Sequence, residues 1–310
     1  MSPTNATLTL EQRPLRPSDD VAVYELTRAS ELHETGTSLI ELDDVRGDWA
    51  RPSYDLGRQT TGFFEDGVLV AYGEVHRKRS ESYVHPDHYG RGIGTSLLKW
   101  SIEKARELGY DRVGQTVPTT NVAACELFRR FGYSVLYTSW ILEMASDATV
   151  HTGPVDERFQ VRSFDPERET EVVFQTLEDA FSEWPNREPS TFEDWSAATF
   201  SREDYAPWQI LVAIDTTDAA EQVVGACMVS VTEDEGWVNQ IAVRRDARGH
   251  GLGRALLATA FEVACEHGAE RTRLNTDTRT GALGLYEHVG MTIAETYGHY
   301  SLRLTTADGS

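Results

Sequence analysis

Apolar positions change their spacing repeatedly along the 310 residues, and the changes mark out elements. Ile93, Leu97, Leu98, Ile102, Ala105 and Leu108 recur every three or four positions, which predicts a helix with one buried face. Leu252 to His267 repeats the pattern, and shorter helices are expected over 21–29, 167–181, 121–131 and 281–288. Short apolar and β-branched runs predict strands at 59–64, 68–75, 81–84 and 113–117, then at 159–164, 209–215, 223–231, 237–243 and 272–276. Final strands are expected at 133–144 and 291–304. Glu65-Asp66-Gly67 joins the first strand pair with an Asp-Gly hairpin signal. Strands mixed with helices in this order give an α/β chain with a mixed, α+β-type sheet.

The strand at 237–243 runs into Arg248-Gly249-His250-Gly251-Leu252-Gly253, and the 252–267 helix leads out. A strand, a glycine turn and a helix start form an anion cradle. The first-turn amides have no partner within the helix, and the macrodipole places partial positive charge there. A weaker copy lies upstream, where His85-Pro86-Asp87-His88-Tyr89-Gly90-Arg91-Gly92-Ile93-Gly94 precedes the 93–108 helix. Gly92 and Gly251 are 159 positions apart, as are Gly109 and Gly268; Gly132 and Gly290 are 158 apart. A constant offset with a one-residue slip is an internal repeat. It predicts two domains, 1–150 and 155–310, joined by the small, polar Ala145–Glu157 stretch with its Gly-Pro.

The Arg-x-x-Gly-x-Gly turn, with the closing segment Gly284-Leu285-Tyr286-Glu287-His288-Val289-Gly290, resembles the GCN5-related N-acetyltransferases (GNAT). The resemblance implies two tandem GNAT acyl-CoA N-acyltransferase folds, with acetyl-CoA as co-substrate. It places the pantetheine arm on the backbone of Ile241, Ala242 and Val243, and the pyrophosphate on the turn from Arg248 through Gly249, His250, Gly251, Leu252 and Gly253 to Arg254. Tyr286 sits where these enzymes commonly hold a general acid, so its phenol would protonate the departing thiolate. Glu235 shares a strand face with Trp237 and is the candidate base, set against an exposed turn carboxylate. In the first half the cofactor positions would be Val84, Tyr89, Gly90, Arg91, Gly92, Ile93, Gly94 and Asn121. There Phe128 stands at the tyrosine position, and Phe has no proton to give. The first half is therefore expected to be degenerate, and the second to be the catalyst.

The charge of −21 repels nucleic acid and anionic lipid and suits a small amine acceptor, such as an aminoglycoside or a polyamine. The acids Glu31, Glu34, Glu41, Asp43 and Asp44, and the aromatic residues across 184–208, lie where the family places acceptor contacts; a solvated helix face and a packed helix pair are the alternatives. No apolar run reaches 18 residues and the N-terminus lacks a signal pattern, so a cytoplasmic protein with no membrane partner is expected. Three scattered cysteines point to free thiols, and no metal site is expected. Two other classes compete. One is a coenzyme A-binding module without catalysis. The other, a dinucleotide oxidoreductase, would need a third glycine where residue 254 is Arg.

Overall fold

A computed structural model of the protein describes residues 10–38, 40–51, 53–183, 189–200, 205–218 and 221–304. Leu39 and Trp184, two apolar points of the presumed acceptor regions, lie outside the described residues. In chain order the elements are β1 (Glu11–Arg13), α1 (Asp20–Thr35), α2 (Leu42–Trp49), α3 (Leu56–Gln59), β2 (Thr60–Glu65), β3 (Val68–His76), β4 (Arg79–Val84), α4 (Ile93–Glu107), β5 (Arg112–Pro118) and α5 (Val122–Arg130). They continue as β6 (Ser134–Ala145), β7 (Phe159–Ser163), α6 (Thr170–Ser182), α7 (Phe192–Phe200), β8 (Ile210–Asp215), β9 (Gln222–Thr232), β10 (Glu235–Val243), α8 (Leu252–Glu266), β11 (Arg271–Asp277), α9 (Leu283–Val289) and β12 (Thr292–Arg303).

Local chemistry explains several boundaries. Asp66 and Gly67 both take positive φ (50° and 82°), the conformation that a two-residue hairpin between β2 and β3 demands. Helix α1 runs beyond the expected 21–29 to Thr35. It stops where Gly36 turns left-handed at φ 81° and its amide bonds Leu32 O. Asn121 caps α5, its side chain accepting from the Ala124 amide.

The chain forms two compact units that are not its two halves. One holds the described residues up to Thr138 and those from Thr296 onward; the other is Ser139–Glu295. In the first unit the sheet order is β1-β2-β3-β4-β5-β12, and β12 pairs antiparallel with β5 from Tyr297↔Pro118 to Arg303↔Arg112. In the second it is β6-β11-β10-β9-β8-β7, and β6 pairs antiparallel with β11 from Ser139↔Asp277 to Ala145↔Arg271. The two closing strands are exchanged: each half supplies the other unit's last strand. This differs from contiguous domains at 1–150 and 155–310. The Ala145–Glu157 stretch, expected as the linker, lies inside the second unit. The sequence could not distinguish the two edges. The halves repeat each other, and β5 and β11 both present an antiparallel edge that either strand's alternation could match.

The cores follow the exchange. In the second unit Leu252, Leu256, Leu257, Ala260 and Phe261 of α8 pack with Leu211, Val229, Val238 and Leu274 of the sheet, and with Leu142 and Met144 of β6. In the first, Leu98 and Ile102 of α4, Val113 and Val117 of β5 and Phe128 of α5 pack with Tyr300 of β12 and Leu304 just beyond it. Each fully buried Leu stabilises by roughly 1.5–3 kcal/mol, so a missing closing strand removes several such terms. Cys125, Cys227 and Cys265 are free, the first two buried and the third partly so. Among the described residues no helix is long and apolar enough to cross a membrane.

Candidate active site

In the second unit β10 and β11 run parallel in register only from Glu235↔Arg271 to Val238↔Leu274. A bulge falls between Val238 and Gln240 in the pairing of β10 with β9, at Asn239. Beyond it, β10 stays with β9 (Ile241↔Cys227, Ala242↔Ala226, Val243↔Gly225), while β11 continues beside β6 to Asp277. A bulge bends the strand that carries it, and here the bend opens a wedge-shaped gap between β10 and β11. The backbone of Ile241, Ala242 and Val243 lines that gap with no ladder partner on β11. An extended thioester arm can add there as a strand.

Tyr286 of α9 reaches the same gap. It is buried, with Thr276 of β11 and Cys227 of β9 as its polar neighbours. Burial, with the neighbouring Cys227, pushes the phenol up to about 12. The group therefore holds its proton throughout the neutral range, as a proton donor must.

Beyond β10 the chain makes the glycine turn. Gly249 and Gly251 take φ 85° and 83°, and α8 begins at Leu252 with Ala255 as the first amide to bond back into the helix, to Gly251 O. The amides of Leu252, Gly253 and Arg254 are left for a ligand. A Cβ at Gly251 would lie 2.7 Å from Pro154 O, so both its conformation and its surroundings require glycine. The side chains of the turn are engaged locally. Arg248 forms an ion pair with Glu183 at 2.9 Å. His250 sits 3.8 Å from Asp156 and tilts against the Phe159 ring at 5.4 Å. The Arg254 guanidinium lies over Gly153. What faces an anion here is backbone.

Glu235 is not brought to this gap. It starts β10 directly opposite Arg271, bonded to it at 3.0 Å, with Arg273 at 3.9 Å. Thr276, which neighbours the Tyr286 phenol, lies five positions further along β11, roughly 16 Å away at the usual strand rise. Arg273 is buried and also faces Glu143 at 3.2 Å and Glu295 at 3.5 Å. The carboxylate of Glu235 thus belongs to an ion-pair network closing the joined end of the wedge.

The first unit has its own concavity. A cavity of about 640 Å³ runs between β4 and β5 and over the first glycine turn, where Gly90, Gly92 and Gly94 have open space around the position of a Cβ. Val84, Tyr89, Ile93, Asn121 and Phe128 line it. Glu34 of α1 spans it, accepting from Asn121 Nδ2 at 2.6 Å and from the Tyr89 hydroxyl at 3.2 Å. Burial raises the Glu34 carboxyl against the lowering effect of those two bonds. Arg91 turns away to Glu65 at 2.6 Å, and Arg91 with His88 holds the Glu65 carboxyl down to about 2. Asn121 is doubly committed, to its cap and to Glu34.

Sequence reasoning missed three residues of these sites. Asn239 was legible as a poor strand former inside an apolar run. Thr276 and Tyr297, which lines the first cavity from β12, carried no local signal.

A mixed sheet splayed between two parallel strands, with a glycine turn and helix beyond it, is the architecture of an acyl-CoA-dependent transferase, and it occurs twice here, with a bulge at the splay only in the second unit. The pattern of the acetyltransferase (GNAT) family matches at residues 22–133 and 170–291. The chain belongs to this family of acetyl-CoA-dependent transferases. It is 26% identical over 220 residues to a mycothiol acetyltransferase of Arthrobacter sp. (strain FB24), spanning 68% of this chain and 66% of that one. A mycothiol acetyltransferase of Sanguibacter keddieii is 25% identical over 310 residues, 92% and 93% of the two chains. Among solved structures, a GCN5-related N-acetyltransferase from Sphaerobacter thermophilus matches with a TM-score of 0.79 and 27% identity over 95% of both chains. A tandem GNAT protein from the clavulanic acid biosynthesis pathway shares the fold, with a TM-score of 0.68 at 16% identity over 97% of this chain and 100% of that one.

Proposed function

We infer that the second unit transfers the acetyl group of acetyl-CoA to a primary amine of a small molecule by direct attack. The observation that carries this reading is the buried Tyr286 phenol, beside Thr276 at the gap that the Asn239 bulge opens below the glycine turn. The pyrophosphate lies on the amides of 252–254 and the thioester arm along 241–243. The amine nitrogen attacks the thioester carbon, and its C=O pair moves to oxygen, where an amide of β10 stabilises the charge. When the C–S bond breaks, the thiolate takes the phenolic proton of Tyr286. Glu235, tied to Arg271 and Arg273, maintains the end of the wedge, and the proton of the amine leaves to solvent.

The net charge of −21 favours a cationic acceptor over nucleic acid. The relatives named mycothiol acetyltransferase make the cysteinyl amine of a cysteine–glucosamine–inositol conjugate the first acceptor to try. The test is thiol release from acetyl-CoA with that conjugate, aminoglycosides, polyamines and peptide N-termini. One amine driving release supports the reading and names the acceptor. Tight acetyl-CoA binding with no release from any amine overturns it in favour of a binding module.

A further inference from the structure

Phe128 removes the phenol from the helix of the first unit, but strand exchange supplies another. Pro118 and Asp277 are 159 positions apart, the offset of the two glycine turns. Their register partners, Tyr297 on β12 and Ser139 on β6, therefore occupy equivalent places in the two units. The units are reciprocal. The second has tyrosine on the helix (Tyr286) and serine on the closing strand; the first has phenylalanine on the helix and tyrosine on the closing strand. Tyr297 and Phe128 line the same 640 Å³ cavity.

A second difference falls on the strand that would carry the thioester. Val84 and Val243 end equivalent strands, so Glu81 corresponds to Gln240. Glu81 lines the first cavity and stands directly across from Glu74. Desolvation raises both carboxyls, Glu74 to about 7, while the Glu81 side chain stays 45% exposed with Arg79 at 3.6 Å. A carboxylate there can take a proton from an ammonium group that the second unit would have to release to water.

We propose that the cavity of the first unit is a second acyl-transfer site, for an acyl-CoA and a primary amine, in which Tyr297 is the acid and Glu81 the base. The amine nitrogen forms the new C–N bond and yields its proton to Glu81. The C–S bond breaks with its electron pair on sulfur, and the sulfur takes the proton of the Tyr297 phenol. The phenolate recovers a proton from solvent and Glu81 gives its own up to solvent, leaving an amide and a free thiol. The proposal rests on the acetyl-CoA reading of the second unit only for the identity of the thioester.

The test uses the full chain with acetyl-CoA and the amine panel above, in the wild type, Tyr286→Phe, Tyr297→Phe and the double variant. Calorimetry with acetyl-CoA should find two sites per chain in all four. Tyr286→Phe should leave residual transfer, which the added Tyr297→Phe lowers about 10²-fold, the low end for loss of a general acid. Glu81→Gln in the Tyr286→Phe background should lower the residual rate similarly and remove the acidic limb of its pH profile, which gives a readout if Tyr297→Phe does not fold. A residual rate within twofold of its value after Tyr297→Phe or Glu81→Gln overturns the proposal and leaves the second unit's role standing. Two-site binding with no transfer in the wild type overturns both.

Discussion

Glu74 and Glu81 face each other directly across β3 and β4, two carboxylates at one cross-strand position. Like charges placed so are destabilising, and a proton held by Glu74 relieves the pair. Burial, then the charge of Glu81, raises Glu74 to about 7, and Tyr54 donates to its carboxylate at 2.5 Å. A carboxyl with a raised folded-state pKa contributes stability that is fully present below its unfolded value of 4.5 and is lost as pH climbs through 7. The loss for Glu74 is about 3 kcal/mol at most. Denaturant unfolding at pH 5 and pH 8 should show it, and Glu74→Gln should flatten the difference.

The two turn glycines should respond unequally to a methyl group. Gly92 and Gly251 share the left-handed conformation, with φ 81° and 83°. Nothing lies within 4 Å of a Cβ at Gly92, whereas one at Gly251 would lie 2.7 Å from Pro154 O. Gly92→Ala is expected to cost about 1 kcal/mol of conformational strain. Gly251→Ala should add the clash and cost at least ~2 kcal/mol. Thermal unfolding of the two variants checks the order.

Arg273 should be indispensable and Arg271 dispensable. Arg273 is 4% exposed among Glu143, Glu235 and Glu295, while Arg271 is 43% exposed beside Glu235 alone. Arg273→Met leaves Glu295, 8% exposed, and the half-buried Glu235 without this cation and should cost about 3 kcal/mol. Arg271→Ala should cost under ~1 kcal/mol, and its small effect should fall further in high salt.

Tyr286→Phe should lower kcat about 10²-fold with little change in acetyl-CoA affinity, because the phenol acts on the departing thiolate. With its pKa pushed up to about 12, the wild-type phenol remains protonated well above neutrality. Activity should therefore show no alkaline decline from this group below about pH 10. A decline between pH 8 and 9 that Tyr286→Phe removes would count against the assignment.

Much of this was legible in the sequence because the requirement was local. The hairpin at Asp66-Gly67 and the turns at Gly92 and Gly251 announce themselves, since only a few residue types accept positive φ. The helical faces of α4 and α8 follow from spacing alone. Glu235 shows where local reading ends. Its parity with Trp237 placed it on a strand face, but its surroundings are set by Arg271 and Arg273, 36 and 38 positions away, which reach it only through sheet register. Tyr297 shows the same limit more strongly, for nothing near it indicates that β12 pairs with β5. Only the fold brings it to the cavity that Phe128 lines.

Cutting the chain between residues 150 and 155 should not release two folded domains. Each piece would keep a closing strand that belongs to the other unit and lack its own. Expressed separately, the pieces should lose cooperative unfolding; expressed together, they should recover it. Two pieces that each unfold cooperatively alone would contradict the exchange.

The exchange also imposes a timetable on biosynthesis. The first unit's sheet lacks β12 until almost the whole chain has been made, so the edge of β5 stays open while about 180 further residues emerge. At common elongation rates that interval is roughly 10–40 s. Throughout it the nascent first half presents an unpaired strand edge next to Val113 and Val117, the kind of surface that invites pairing with a neighbouring chain or capture by a chaperone.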